Sequence, residues 1–376
     1  MIHKNINYSL SQINFILKSL FLLGLGIMLG TNCNETARPN QNPQELAILT
    51  QLSEYDLFDT DENGKLIPKQ FGTSYTLNTS LFSDYTHKDR VIFLPKDSQI
   101  QYESDKVFTM PIGTIISKTF SMPSDLTKPN EDLLKLETRL LINQPKGWFA
   151  VSYTWNQEGT DAEIAYAGKN IPIEFKDTDG KKVNFTYSVP SRNQCTSCHQ
   201  SYEGRSQSIV PIGPKAKHLN KEISMKDGIR KNQLSIWKEK GILAGLPMFA
   251  VPKLVDAFDN HHSVEDRARA YLDINCSHCH QGTGAAGMNS KLILNAEESN
   301  LSELGLCKTP GSAGKGGGGL RYDIVPGNAD ASILYYRMAT QDSGAMMPQI
   351  GRALVHKEGL ELIRNWINEM PAKECP

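Results

Sequence analysis

The sequence spells Cys-x-x-Cys-His twice, as "NQCTSCHQ" at 193–200 and "NCSHCHQ" at 275–281. The chain has only seven cysteines and nine histidines. Repeating that spelling therefore sets a chemical constraint on the fold. Whatever forms around each motif must bring two sulfurs and one imidazole to a common centre.

Two cysteines three positions apart can each add across a vinyl group of one haem, and the adjacent histidine then supplies a nitrogen to the iron. On this reading Cys195, Cys198 and His199 hold one haem c, and Cys276, Cys279 and His280 hold a second. Two other chemistries compete. Structural zinc could join two Cys-x-x-Cys knuckles into one four-sulfur site. Such knuckles are usually about 15–20 residues apart, far closer than here, and zinc leaves the two adjacent histidines without a role. A redox-active dithiol calls for a thioredoxin-like βαβ context, which the sequence lacks.

The second axial ligand decides what each haem does. "SGAMMPQIGR" follows the second motif and leads into a terminal helix. Met347, next to Pro348, is preferred there over Met346 as a thioether ligand opposite His280. His/Met ligation raises the potential and closes the iron, which suits electron transfer. For the first haem, Met248 in "GLPMFAVP" also follows a proline, with Met225 and His218 as alternatives. "GSAGKGGGGL" fails as a phosphate loop, because Gly316 follows Lys315 where Ser or Thr is needed. His261 and His262 precede a helix and read as solvated.

A polar lead with Lys4 and Lys18 runs into the apolar "SLFLLGLGIMLG" and then a polar stretch. This pattern reads as an export signal over 1–32. Cys33 follows in "LGTNC", which is close to a lipobox with Asn32 in place of the usual small residue. It is the candidate lipidation site. The remaining cysteines, Cys307 and Cys375, are an even pair in an oxidising compartment and are expected to form a disulfide. No run of 18 apolar residues occurs, so the membrane is reached through a lipid anchor only. A net charge of −1 gives no reason to expect a nucleic-acid partner.

A chain of 376 residues has room for two or three domains. Residues 33–73 read as linker and lead-in. "DLFDTDENGKLIPKQ" imitates a calcium loop but ends on Gln70 where a bidentate Glu is needed, so it reads as a turn. From 74 to 190 the pattern is β. "IPIEF" and "KVNFTYSV" alternate around "KDTDGK", which predicts a hairpin with one buried face. After Pro190 the pattern turns helical. Ser263 is a predicted N-cap for "VEDRARAYLDI", and "HKEGLELIRNWINEM" carries an apolar stripe.

In "YTLNTSLFSDYTHKDRVIFLP", "PIGTIISKTF", "VPSRNQCTSCHQ", "RARAYLDINCSHCHQ", "IVPGNADASILYYRM" and "MMPQIGR", the chain resembles exported di-haem c-type cytochromes with an N-terminal β region. The last three segments together are also similar to class I cytochrome c modules, which implies His280 and Met347 as an axial pair. Relatives of that group occur fused to, or beside, PQQ-dependent sugar-dehydrogenase-like domains. The fold expected is an all-β sandwich or barrel-like domain (74–190) followed by two all-α cytochrome c-like modules, at 191–260 and 261–376, the first abbreviated and packed on the β domain. The function expected is periplasmic electron transfer between a dehydrogenase-like donor and another cytochrome or redox carrier. The alternative is a di-haem peroxidase or oxidase with one open iron. A structural lipoprotein with metal knuckles is a third class.

Overall fold

The computed structural model describes residues 45–376 with the exception of 204, 226, 285 and 287–289. The predicted export signal and Cys33 lie outside the described residues. Near the start, β1 (Phe58–Thr60) and β2 (Leu66–Pro68) form a hairpin. Its turn is held by Asp61, whose carboxylate accepts from the backbone N–H groups of Asn63 and Lys65, both at 2.9 Å. The calcium-loop look-alike is thus an Asx-type turn, in which the short acidic side chain mimics a backbone acceptor.

The strands that follow are β3 (Gly72–Ser74), β4 (His87–Phe93), β5 (Ile100–Gln101), β6 (Ile115–Pro123), β7 (Leu133–Gln144), β8 (Gly147–Trp155) and β9 (Ala162–Ile164). Six of them make one antiparallel sheet in the order β3-β4-β6-β7-β8-β9. It is an open sheet with β3 and β9 at its edges, so the described residues form neither a closed barrel nor a sandwich of two large sheets. The predicted hairpin is present as β10 (Lys169–Lys176) and β11 (Lys182–Val189), with Ile173 opposite Phe185. Its inward side chains Ile173, Phe175, Tyr187 and Val189 pack with Met122 and Leu136 of the sheet.

Successive strand residues face opposite sides, and both sides of the sheet find apolar cover. Val91, Phe93, Leu140, Ile142, Val151 and Tyr153 pack under Leu52 and Leu57. On the other side, Ile92 and Ile116 pack against Leu219, Leu234, Trp237 and Leu243. These partners come from the stretch expected to be the first, abbreviated helical module packed on the β domain.

That stretch is not all-α. It holds α1 (Arg192–His199), β12 (Gln200–Glu203), β13 (Ser206–Ile209), α2 (Ala216–Leu219), β14 (Glu222–Ser224), β15 (Arg230–Asn232), α3 (Gln233–Glu239) and β16 (Leu243–Ala244). Helices shorter than about 12–15 residues are marginal on their own, and these bury their apolar residues on the sheet instead. β16 completes the join by pairing in parallel with β5, Leu243 opposite Ile100.

Farther on lie α4 (Val264–Cys276), α5 (Ile333–Ala339) and α6 (Lys357–Glu369). Ser263 caps α4, its hydroxyl accepting from the Asp266 N–H at 3.1 Å. Tyr271 and Leu272 of α4 share a core with Leu362, Ile363, Trp366 and Ile367 of α6. Gly359 makes that crossing close, since a Cβ there would collide with the Tyr271 ring. The expectation of two all-α modules is overturned. The described residues hold six short α-helices among sixteen strands, and the first motif belongs to the same packing unit as the sheet. No helix among the described residues is long and apolar enough to cross a membrane.

Candidate functional site

The first motif sits on α1, whose start is set by a capping box. The Ser191 hydroxyl accepts from the Gln194 N–H, and the Gln194 side chain accepts from the Ser191 N–H at 2.8 Å. Cys195, Cys198 and His199 follow at i, i+3 and i+4, which puts all three on one helix face. Cys195 is buried beside the Ser152 hydroxyl of β8, and burial pushes its thiol pKa up. The His199 Nδ1–H donates to the Val210 carbonyl at 2.9 Å. That bond fixes the tautomer and leaves Nε2 as the free lone pair, as in ligating histidines. Burial pushes the His199 pKa down to about 4, so the ring is neutral at pH 7.

The second motif occupies the end of α4 and the turn after it. The His280 and Cys279 N–H groups both donate to the Cys276 carbonyl, at 2.9 and 3.1 Å. Burial raises the Cys276 thiol to about 12 and lowers His280 to about 4, against a smaller raising effect from the Leu292 carbonyl beside its ring.

The fold brings the two motifs together. The Cys198 and Cys279 sulfurs and a ring nitrogen of His278 all lie within 4.8 Å of one another. The Cys279 thiol donates to the Cys198 sulfur, which depresses the Cys198 pKa, with His278 adding to the effect. The same bond, together with burial, raises Cys279. A cavity of about 430 Å³ opens at this junction, and its lining includes Cys198, Cys276, Cys279, His280 and Met347.

Met347 is held in place by its own backbone. Its N–H donates to the Arg337 carbonyl at 2.9 Å, and its carbonyl accepts from Arg352 Nε–H at 2.9 Å. Arg352 also donates to the Arg337 and Thr340 carbonyls, both at 3.0 Å. Sequence reasoning missed Arg352, because a buried arginine serving loop carbonyls leaves no local pattern. It also passed over His278, although that residue is spelled inside the motif.

Met248 is not brought to His199. Its side chain is 82 % exposed, and it lies outside the cavity lining. A methionine following a proline fits an exposed loop as well as a ligand loop. His218 is buried but committed to Asp273 at 2.7 Å, and His261 is exposed and bonded to Asp259. Cys307 and Cys375 are joined by a disulfide, with their α-carbons 5.1 Å apart, and the four motif cysteines take no part in a disulfide. Comparison of the chain with protein-family models, curated proteins and solved structures found no match.

Proposed function

We propose that the protein is an exported di-haem c-type cytochrome that transfers electrons between a dehydrogenase-like donor and a further redox carrier. Cys195 and Cys198 would hold one haem with His199 as ligand, and Cys276 and Cys279 the other with His280. A haem at each motif supplies a one-electron iron couple. The observation that supports the reading is the meeting of the two motifs, Cys198 against Cys279, which would set two haem attachment points side by side.

Two features test the fit. The His199 ring presents Nε2 with Nδ1 already bonded to a carbonyl, the arrangement that fixes and strengthens an imidazole ligand. The cavity at the second motif has His280 and the thioether of Met347 on its walls, with Leu292, Leu294 and Leu334 supplying apolar lining. Such walls exclude water and so raise the potential of a buried cationic centre. The N-terminal signal pattern and Cys33 support an exported protein held at the membrane by a lipid. The PQQ-dependent dehydrogenase-like donor rests on the resemblance alone.

A second reading, a di-haem enzyme with an open iron at His199, has one observation behind it. Met248, the first-choice distal ligand there, is exposed to solvent.

Intact mass of the mature protein after acid extraction tests the proposal. A gain of two haems over the apo-chain is expected. An unshifted mass with stoichiometric zinc would overturn it, and Cys198, His278 and Cys279 would then be the metal's ligands. Met347→Ala should abolish the far-red sulfur-to-iron absorption band and lower one midpoint potential. Peroxide turnover by a high-spin haem in the unmodified protein would favour the enzyme reading.

A further inference from the structure

The central sheet carries a charged face that neither motif explains. Register sets Lys88 opposite Phe120 and Arg90 opposite Lys118, and Lys118 opposite Arg139. Four cationic side chains therefore share one face of β4, β6 and β7. Three of them gather around the fully buried Phe120 ring. Lys88 Nζ, Lys118 Nζ and Arg139 Cζ lie 5.9, 5.1 and 4.3 Å from its centroid.

Among the described residues, a single carboxylate pairs with this group. Glu137 contacts Arg139 at 2.5 Å and accepts from the Tyr187 hydroxyl at 2.6 Å. Asp84, whose field reaches Lys88, is taken up by the backbone N–H groups of Ala353 and Leu354. Lys88 donates to the Thr86 carbonyl at 2.9 Å and Arg90 to the Lys88 carbonyl at 3.1 Å. Those bonds satisfy protons but neutralise no charge. Directly opposite Glu137 on β8 stands Thr154, 6 % exposed, with a hydroxyl that has no hydrogen-bond partner.

Clustered buried cations repel one another and lose hydration, and a ring face compensates only weakly. An orphaned buried hydroxyl beside them is a donor without an acceptor. Both deficits are met by one kind of ligand, an anion with several oxygens. The face also turns toward the first motif: Ser152, next to Thr154 on the same side of β8, lies beside Cys195. The Lys118 charge is felt at both Cys198 and His199.

We propose that this face seats a ligand bearing two carboxylates, and that these are the propionates of the haem at His199. The proposal rests on the haem reading, so the intact mass of the holoprotein comes first: missing haems fail that reading, before the seat is in question. With two haems present, Lys118→Gln and Arg90→Gln should each lower one midpoint potential and leave the other in place, because a positive charge beside one iron is lost. Lys118→Arg keeps the charge and should keep both midpoints. This conservative variant reports on the seat even where Lys118→Gln does not fold.

Calorimetric titration of the unmodified holoprotein with succinate and with inorganic phosphate separates the two sources of carboxylate or oxyanion. No binding is expected of a seat already filled. Stoichiometric binding that Lys118→Gln abolishes would assign the seat to a free anion and overturn the propionate assignment. Two unchanged midpoints in folded, fully loaded Gln variants would overturn it as well.

Discussion

Lys217 Nζ lies 2.6 Å from Asp273 Oδ2, and this buried pair joins the helix packed on the sheet to the helix that ends in the second motif. The other carboxylate oxygen accepts from His218 Nε2–H at 2.7 Å, and Oδ2 accepts also from the Ala296 N–H at 2.8 Å. Ala216 and Leu219 of the same short helix are buried in the sheet's core. The pair thus fixes α4 relative to the sheet, and with it Cys279 relative to Cys198.

Removing Asp273 leaves the buried Lys217 ammonium with only the largely exposed Glu297 carboxylate at 2.9 Å and strips the buried His218 ring of its partner. Asp273→Ala is expected to cost about 3–5 kcal/mol in denaturant unfolding. A loss below about 1 kcal/mol would show that the pair is not a strut. The pH dependence has a defined sign. Burial alone would raise the Asp273 pKa, but the His218 hydrogen bond and the Lys217 charge together hold it well below the usual carboxylate range. Its folded pKa is therefore below its unfolded one. The contribution is complete above about pH 4 and is lost as the pH falls through the depressed folded value. Acid unfolding of Asp273→Asn should lack that component.

The disulfide closes a separation of 68 residues, from the loop after the second motif to the chain end. A chain-entropy treatment assigns such a loop about 4 kcal/mol. Cys307→Ser and Cys375→Ser should each lower the thermal midpoint, and the double variant should lower it no further than either single. Reductant should bring the unmodified protein to the same midpoint. Additive losses in the double variant would mean that the cysteines contribute as separate packed side chains.

Gly359 permits the contact between α6 and Tyr271. On an exposed helix, Gly→Ala stabilises by roughly 1 kcal/mol. Here the added methyl meets the Tyr271 ring, and overpacking costs about 1–3 kcal/mol. Gly359→Ala is therefore expected to be net destabilising in urea unfolding, the reverse of the propensity effect. A stabilised variant would show that the two helices can part without loss.

What could be read from the sequence was local. The hairpin at Lys169–Val189 was legible because Ile171, Ile173 and Phe175 alternate against Val183, Phe185, Tyr187 and Val189 around a turn. Ser263 and the stripe on α6 marked two helices for the same reason. The pairing of Ile100 with Leu243 and of His218 with Asp273 has no local signature, because nothing in either segment names its partner. The helical tendency after Pro190 was real, but the segments within 191–260 are too short to form a core of their own and were captured by the sheet, whereas α4 and α6 pack on each other. The motifs were spelled out, yet their contact through Cys198 and Cys279 depends on those same long-range joins. Met248 shows the converse, a plausible local context that the fold leaves in solvent.

Asp323 offers a test on the cavity wall itself. Its side chain lines the cavity, and its Oδ2 has no hydrogen-bond partner. Lys308 approaches no closer than 3.8 Å. Burial raises the Asp323 pKa to about 6, and Lys308 and Arg337 offset only part of that. The folded pKa is thus above the unfolded one, so the ionised carboxylate destabilises the fold at neutral pH. The penalty is relieved as the pH falls through about 6 and is gone near pH 4, where the unfolded chain also takes up the proton. Asp323→Asn removes the charge at nearly constant shape. It should stabilise the protein at pH 8 by at most about 3 kcal/mol and have almost no effect at pH 4. Thermal unfolding of both proteins at the two pH values measures the difference. An equal gain at both would assign the effect to packing, and a loss at pH 8 would mean that the Lys308 and Arg337 charges need the carboxylate more than burial opposes it.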